Sequence, residues 1–140
     1  MLKTIDPLLT GTLLAILADM GHGDELVVTD GNFPAAAVAQ RWVQLPGHAA
    51  PAVLQAVLSL LPLDDFVEQP ATVMLAPDGV PAIYSEFTSL INHSEGRNIE
   101  LQPIDRFDFY DRAKAAYAVV STGERRLYGN IILKKGILRA

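Results

Sequence analysis

His22 stands between Gly21 and Gly23 and is followed at once by Asp24 and Glu25, so an imidazole and two carboxylates sit where no core demands them. The flanking glycines let the backbone turn sharply and leave the ring open to close approach by a small ligand. With an unperturbed pKa of about 6.5, histidine donates and accepts protons near neutrality, which suits general acid–base work. The competing reading is a structural hydrogen-bonder in a glycine turn. Further on, Asp30 leaves the apolar run Leu26-Val27-Val28 and opens the loop Gly31-Asn32-Phe33-Pro34. That loop lies beyond the carboxyl end of the strand, where open α/β sheets usually bind ligands. Asp30 could accept hydrogen bonds from a ligand, or cap the Gly31-Asn32 turn. Asp24 could orient the imidazole through one ring nitrogen, or be a solvated turn residue. His48 follows a Pro-Gly turn and His93 lies near a helix end; both read as surface or capping residues, and no set of carboxylates and histidines has metal-ligand spacing.

The elements that must position these groups follow from periodicity. Leu13, Ile16, Leu17 and Met20 have helical spacing, with Gly21 placed for a left-handed exit and Thr10, Thr12 or Asp6-Pro7 available to start the helix. Leu26-Val27-Val28 and Arg41-Trp42-Val43-Gln44-Leu45 read as strands, the second ended by Pro46-Gly47. Leu54, Val57, Leu58 and Leu61 predict a helix from near Pro51, stopped by Pro62. Ala71 to Leu75 reads as a strand, Ile83, Phe87 and Leu90 mark a helix, and Ile99-Glu100-Leu101 reads as a strand after the Glu95-Gly96 turn. Asp105 can cap a helix carrying Phe109, Ala113 and Ala116, before Ala118-Val119-Val120 and Asn130-Ile131-Ile132-Leu133 supply the last strands. Such alternation predicts an α/β fold of three layers, α/β/α, with a mainly parallel sheet flanked by helices.

Residues 1–140 suit one domain large enough to bury most of its apolar surface. The chain has no cysteine, which excludes disulfides and thiolate metal sites and fits a cytoplasmic location. The apolar stretch Leu8–Ala18 lacks the basic flank of a signal peptide and is broken by Thr10-Gly11-Thr12, and no run approaches the ~20 apolar residues of a membrane span. A net charge of −5 without a basic stripe argues against a nucleic-acid partner. Half the residues are hydrophobic and only 19% are charged, so a homo-oligomer is the natural outlet for apolar surface.

Three blocks of sequence carry a resemblance to a known family. The first runs from Leu2-Lys3-Thr4-Ile5 through Met20-Gly21-His22-Gly23-Asp24 to Asp30 and Phe33-Pro34-Ala35. The second is Ile104-Asp105-Arg106-Phe107 with Phe109-Tyr110; the third is Thr122-Gly123-Glu124 with Tyr128-Gly129-Asn130 to Gly136. In order and separation they resemble the sugar mutarotase family that includes L-fucose mutarotase and D-ribose pyranase, while the segment 67–98 adds little. The resemblance implies a cofactor-independent isomerase acting on a free monosaccharide, with His22 as the catalytic acid/base. Asp30, Arg106 and the triplet Tyr128, Gly129 and Asn130 would bind the sugar, and Asp24 is a possible support. Glycine within the triplet and the following Lys134-Lys135-Gly136 point to the fucose branch, so L-fucose is the expected substrate, with Phe33 and Tyr128 candidates to meet its methyl group. The alternatives are pyranose–furanose interconversion of the D-ribose pyranase type and a non-catalytic sugar-binding module. The family also implies a homo-oligomer, a decameric ring with sites near subunit interfaces.

Overall fold

Leu26 and Val28 pack into one hydrophobic core and Val27 into another, so a single strand separates two layers of helix. The computed structural model describes residues 1–140, and its strands are β1 (Glu25–Thr29), β2 (Trp42–Leu45), β3 (Ala71–Met74), β4 (Gln102–Ile104), β5 (Ala118–Thr122) and β6 (Ile131–Lys134). The helices are α1 (Gly11–Asp19), α2 (Ala35–Val38), α3 (Ala50–Leu58), α4 (Ile83–Glu95) and α5 (Arg106–Ala115). One six-stranded sheet has the order β2-β5-β1-β6-β3-β4. Strand pairs β1/β5, β2/β5 and β3/β4 are parallel, whereas β6 runs antiparallel to both β1 and β3. The larger core lies under α1, α3 and α4, where Leu13, Val53 and Phe87 meet Leu26, Val120 and Ile131. On the other face Ala35 of α2 and Phe109 and Ala113 of α5 cover Val27, Val119 and Ile132. The expected three-layer, mainly parallel α/β architecture is present. Central strands buried on both faces are continuous apolar runs, while edge strand β2 alternates exposed Trp42 and Gln44 with buried Val43 and Leu45.

Local details differ from the sequence reading for identifiable reasons. The strand expected at Ile99-Glu100-Leu101 begins at Gln102 instead. The Ile99 amide donates to Oδ1 of Asn92 at 2.8 Å, leaving the ladder to a segment containing Pro103, which an edge strand tolerates. The helix expected to run to Pro62 ends at Leu58, and α2 adds a short turn after Pro34. β6 follows β5 without a helix between them, so the βα alternation stops there. Gly21 does not take a left-handed exit: Met20 is extended, and Gly23 is the residue at positive φ, 87°. Lys135, just past the end of β6, donates its ammonium to the carbonyls of Leu17 and Met20 and so closes α1 from outside.

Candidate active site

The turn that carries His22 is fixed from three directions. Thr10 starts α1 by accepting from the Leu13 amide at 3.2 Å, and Lys135 holds its other end. The Gly23 amide donates to the Lys135 carbonyl and the Lys135 amide to the Asp24 carbonyl, each at 2.9 Å, so the turn extends the β1/β6 pairing. Asp24 Oδ2 accepts from the Gly21 amide at 2.7 Å. Asp24 therefore braces the turn and does not reach the imidazole, contrary to the orienting role considered for it. That role falls to Asp64, whose Oδ1 lies 3.0 Å from His22 Nε2.

Sequence reading missed Asp64 because the hydrogen bond spans 42 positions. The only local signal was a pair of acidic residues after a helix-stopping proline. Gly136 donates its amide to the Pro62 carbonyl, and a Cβ at Gly136 would lie 2.4 Å from the Leu63 carbonyl oxygen, so this glycine permits the close crossing that delivers Asp64. Asp64 is only 4% exposed, while the His22 side chain is 43% exposed. Burial raises the Asp64 carboxyl, but the Phe66 amide and His22 outweigh it and hold the group below its ordinary value. An ionised carboxylate only accepts, so Nε2 carries a hydrogen and the neutral ring keeps its free lone pair on Nδ1.

A second constellation gathers at the other end of β1. Asp30 and Asn130, both 4% exposed, are joined twice: the Asp30 amide donates to Asn130 Oδ1 at 2.8 Å, and Asn130 Nδ2 donates to Asp30 Oδ2 at 3.2 Å. The Asn32 amide also donates to Asp30 Oδ1 at 2.9 Å, so Asp30 does brace its turn while lining a cavity of about 160 Å³. Arg106, Tyr110, Tyr128 and Asn130 share that cavity. Arg106 enters it from the first turn of α5, whose cap Asp105 accepts from the Phe107 amide at 2.8 Å, and no carboxylate of the chain pairs with it. Tyr128 has φ 63°, a strained value for an aromatic residue, of the kind that clusters at ligand sites. Gly129 is buried and faces the protein: a Cβ there would lie 2.9 Å from Glu124 Cγ and 3.3 Å from Ile83 Cδ1. Its missing side chain serves packing beneath the loop, whereas the family resemblance gave it a part in binding the sugar. Beside it, hydrogen bonds from Arg126 hold the buried Glu124 carboxyl below its ordinary value.

Within one chain, His22 and the Asp30 cavity are not brought together. β1 and its register with β6 separate them, from Lys134 opposite Glu25 to Ile131 opposite Val28. At ~3.4 Å per strand residue, Glu25 to Asp30 alone spans about 17 Å. His48 and His93 are exposed, and His93 falls in the last turn of α4. No three His, Asp or Glu side chains form a group able to hold a metal ion. A larger cavity of about 720 Å³ lies against α4 and β3, lined by Val73, Leu75, Val80, Tyr84 and Pro103. Its titratable group, Tyr84, is pushed by burial to about 12 and donates its hydroxyl to the Met74 carbonyl, so it offers no proton transfer near neutrality. No helix is long and apolar enough to cross a membrane.

Comparison with known proteins gives these two constellations a context. The chain is 47% identical over 146 residues to human fucose mutarotase, covering 98% of this chain and 94% of that one. The structure matches that of the fucose mutarotase from Streptococcus pneumoniae in complex with L-fucose at a TM-score of 0.91 and 38% identity, over 99% of this chain and 100% of that one. Bacillus subtilis RbsD complexed with D-ribose shares the fold at a TM-score of 0.77, with 24% identity over 99% of this chain and 100% of that one. The model of the RbsD / FucU transport protein family matches residues 3–138, and the chain belongs to that family.

Proposed function

We propose that the protein is a mutarotase that interconverts the α and β anomers of L-fucose by acid–base ring opening, without a cofactor. One observation carries this reading: 47% identity to human fucose mutarotase across 98% of the chain. The chemistry is within reach of the residues present. Opening the hemiacetal removes the proton from the anomeric hydroxyl, breaks the bond between C1 and the ring oxygen, and places a proton on that oxygen. Rotation about C1–C2 and the reverse steps close the other anomer. His22, with Nε2 fixed by Asp64 and Nδ1 free, is the group that carries the proton. Asp30, Arg106, Tyr128 and Asn130 hold the sugar hydroxyls, and Asp30 can share the proton transfer. Gly129 keeps the loop beneath the sugar in place, and Asp24 supports the His22 turn.

Because the two constellations stand at opposite ends of β1, the working site combines His22 of one subunit with the Asp30 cavity of its neighbour. Such a contact joins unlike surfaces, which form a ring when the rotation closes, and we read the assembly as a decameric ring. Exposed Phe107 and Leu127 beside the cavity supply apolar surface for the contact. Residues 1–140 act as one domain, and the absence of cysteine suits work in the cytoplasm. Saturation-transfer NMR tests the reaction, since it reads exchange at equilibrium. At equal enzyme concentration L-fucose anomers exchange faster than D-ribose converts between pyranose and furanose. A preference for ribose would reassign the substrate, and binding of L-fucose without exchange would make the protein a sugar-binding module.

A further inference from the structure

Beside His22 stands an aromatic ring that the reaction above does not use. Phe66 is 63% exposed, and its ring centroid lies 5.0 Å from that of the imidazole, tilted by 45°. A single exposed apolar side chain is ordinary, but this one is held in place. Its amide donates to Asp64 Oδ1 at 3.1 Å, the same oxygen that holds His22 Nε2. The Arg139 guanidinium lies 5.3 Å from the Phe66 ring centroid and is itself fixed by two hydrogen bonds to Asp65, at 3.1 and 2.8 Å. One short segment thus fixes the imidazole, an aromatic ring beside it and the cation near that ring.

We infer that Phe66 is the apolar platform for the C5 methyl group of L-fucose and sets the preference for a 6-deoxy sugar. This inference rests on the mutarotase reading. The group that carries the proton has to remain within hydrogen-bond reach of the ring oxygen. C5, which bears the methyl group, is bonded directly to that oxygen, so a surface beside the imidazole is also beside C5. Asp64 is committed to Nε2, and Phe66 is the apolar neighbour of the ring. The cavity around Asp30 offers a carboxylate, a guanidinium, two amides and two phenols, which suit the hydroxyls of C2, C3 and C4, beside apolar Phe33, Met74 and Leu127. Phe33 and Tyr128, the two aromatics considered for the methyl group, both line the Asp30 cavity at the other end of β1 from His22, and the Phe33 ring is 9% exposed and lies against Phe109 and Tyr110 at 6.0 and 5.5 Å.

D-Arabinose has the configuration of L-fucose at C2, C3 and C4 but lacks the methyl group, so the two sugars isolate this contact. Catalysed exchange of each, at the same subsaturating concentration, is compared for the wild type, Phe66→Ala and Phe66→Leu. The wild type prefers L-fucose by about 10-fold or more, the scale a hydrophobic pocket supplies for one such group. Phe66→Ala removes most of this preference by slowing L-fucose while D-arabinose stays within about twofold, and Phe66→Leu retains part of it. Equal losses on both sugars would show that Phe66 only packs against His22 and would overturn the inference, as would an unchanged preference in both variants. A wild-type protein that exchanges no L-fucose would overturn the mutarotase reading itself, and this assignment with it.

Discussion

A histidine can act as both acid and base when one ring nitrogen is fixed and the other is free, and the buried Asp64 carboxylate supplies the fixed partner of His22. Replacing the imidazole by an amide in His22→Gln removes the titrating group and lowers catalysed exchange by about 10²–10⁴-fold, with the fold retained by circular dichroism. Asp64→Asn leaves an amide that no longer demands a hydrogen on Nε2, so exchange falls while sugar affinity measured by calorimetry stays close to wild type. The same variant has a stability signature. The Asp64 carboxyl is held below its ordinary 3.8, so its ionised form stabilises the fold above that pH and the contribution is lost as pH falls through the lower folded value. Thermal melts of the wild type and Asp64→Asn accordingly differ most at neutral pH and converge in acid. His22 and Asp30 were legible in the sequence because glycines and a strand end mark them locally; Asp64 was not, since only tertiary folding brings it to the imidazole.

At the scale of elements, the site depends on a crossing of two segments more than on any single helix. Gly136 passes beneath Leu63 with room for a hydrogen and no more. Gly136→Ala forces one segment away and costs about 1–3 kcal/mol, the usual penalty of overpacking. Its thermal midpoint falls by several degrees, and exchange falls with it because Asp64 moves from His22. Asp105→Ala removes the cap of α5 and costs about 1 kcal/mol, and it weakens sugar binding more than it changes the limiting rate, since Arg106 leaves from that first turn. Calorimetry and saturation kinetics separate the two effects. The helix caps, the apolar strands and the layers were legible because local periodicity and burial agree. The exact place of β4 was not, because the Ile99 amide is drawn off by an Asn92 side chain and the pairing falls to a proline-containing edge. Gly129 likewise reads as part of the sugar-binding triplet until Ile83 and Glu124 are seen to fill the space around it.

At the scale of the whole molecule, one chain holds His22 at one end of β1 and the Asp30 cavity at the other, the two halves of the proposed site. The low share of charge, 19%, and the exposed Phe107 and Leu127 fit a molecule that works as an assembly. Light scattering of the purified protein gives a mass near ten chains for the proposed ring assembly, and a monomer mass at working concentration would contradict it. The most direct test of a site shared between neighbouring subunits is complementation. His22→Gln and Asp30→Asn chains, each inactive as a pure assembly, are unfolded together in equal amounts, refolded and measured for L-fucose anomer exchange by saturation-transfer NMR. A shared site recovers about a quarter of wild-type exchange, since random mixing pairs an intact His22 with an intact neighbouring cavity at about that frequency. Refolded mixed assemblies that remain as inactive as either variant alone would contradict it.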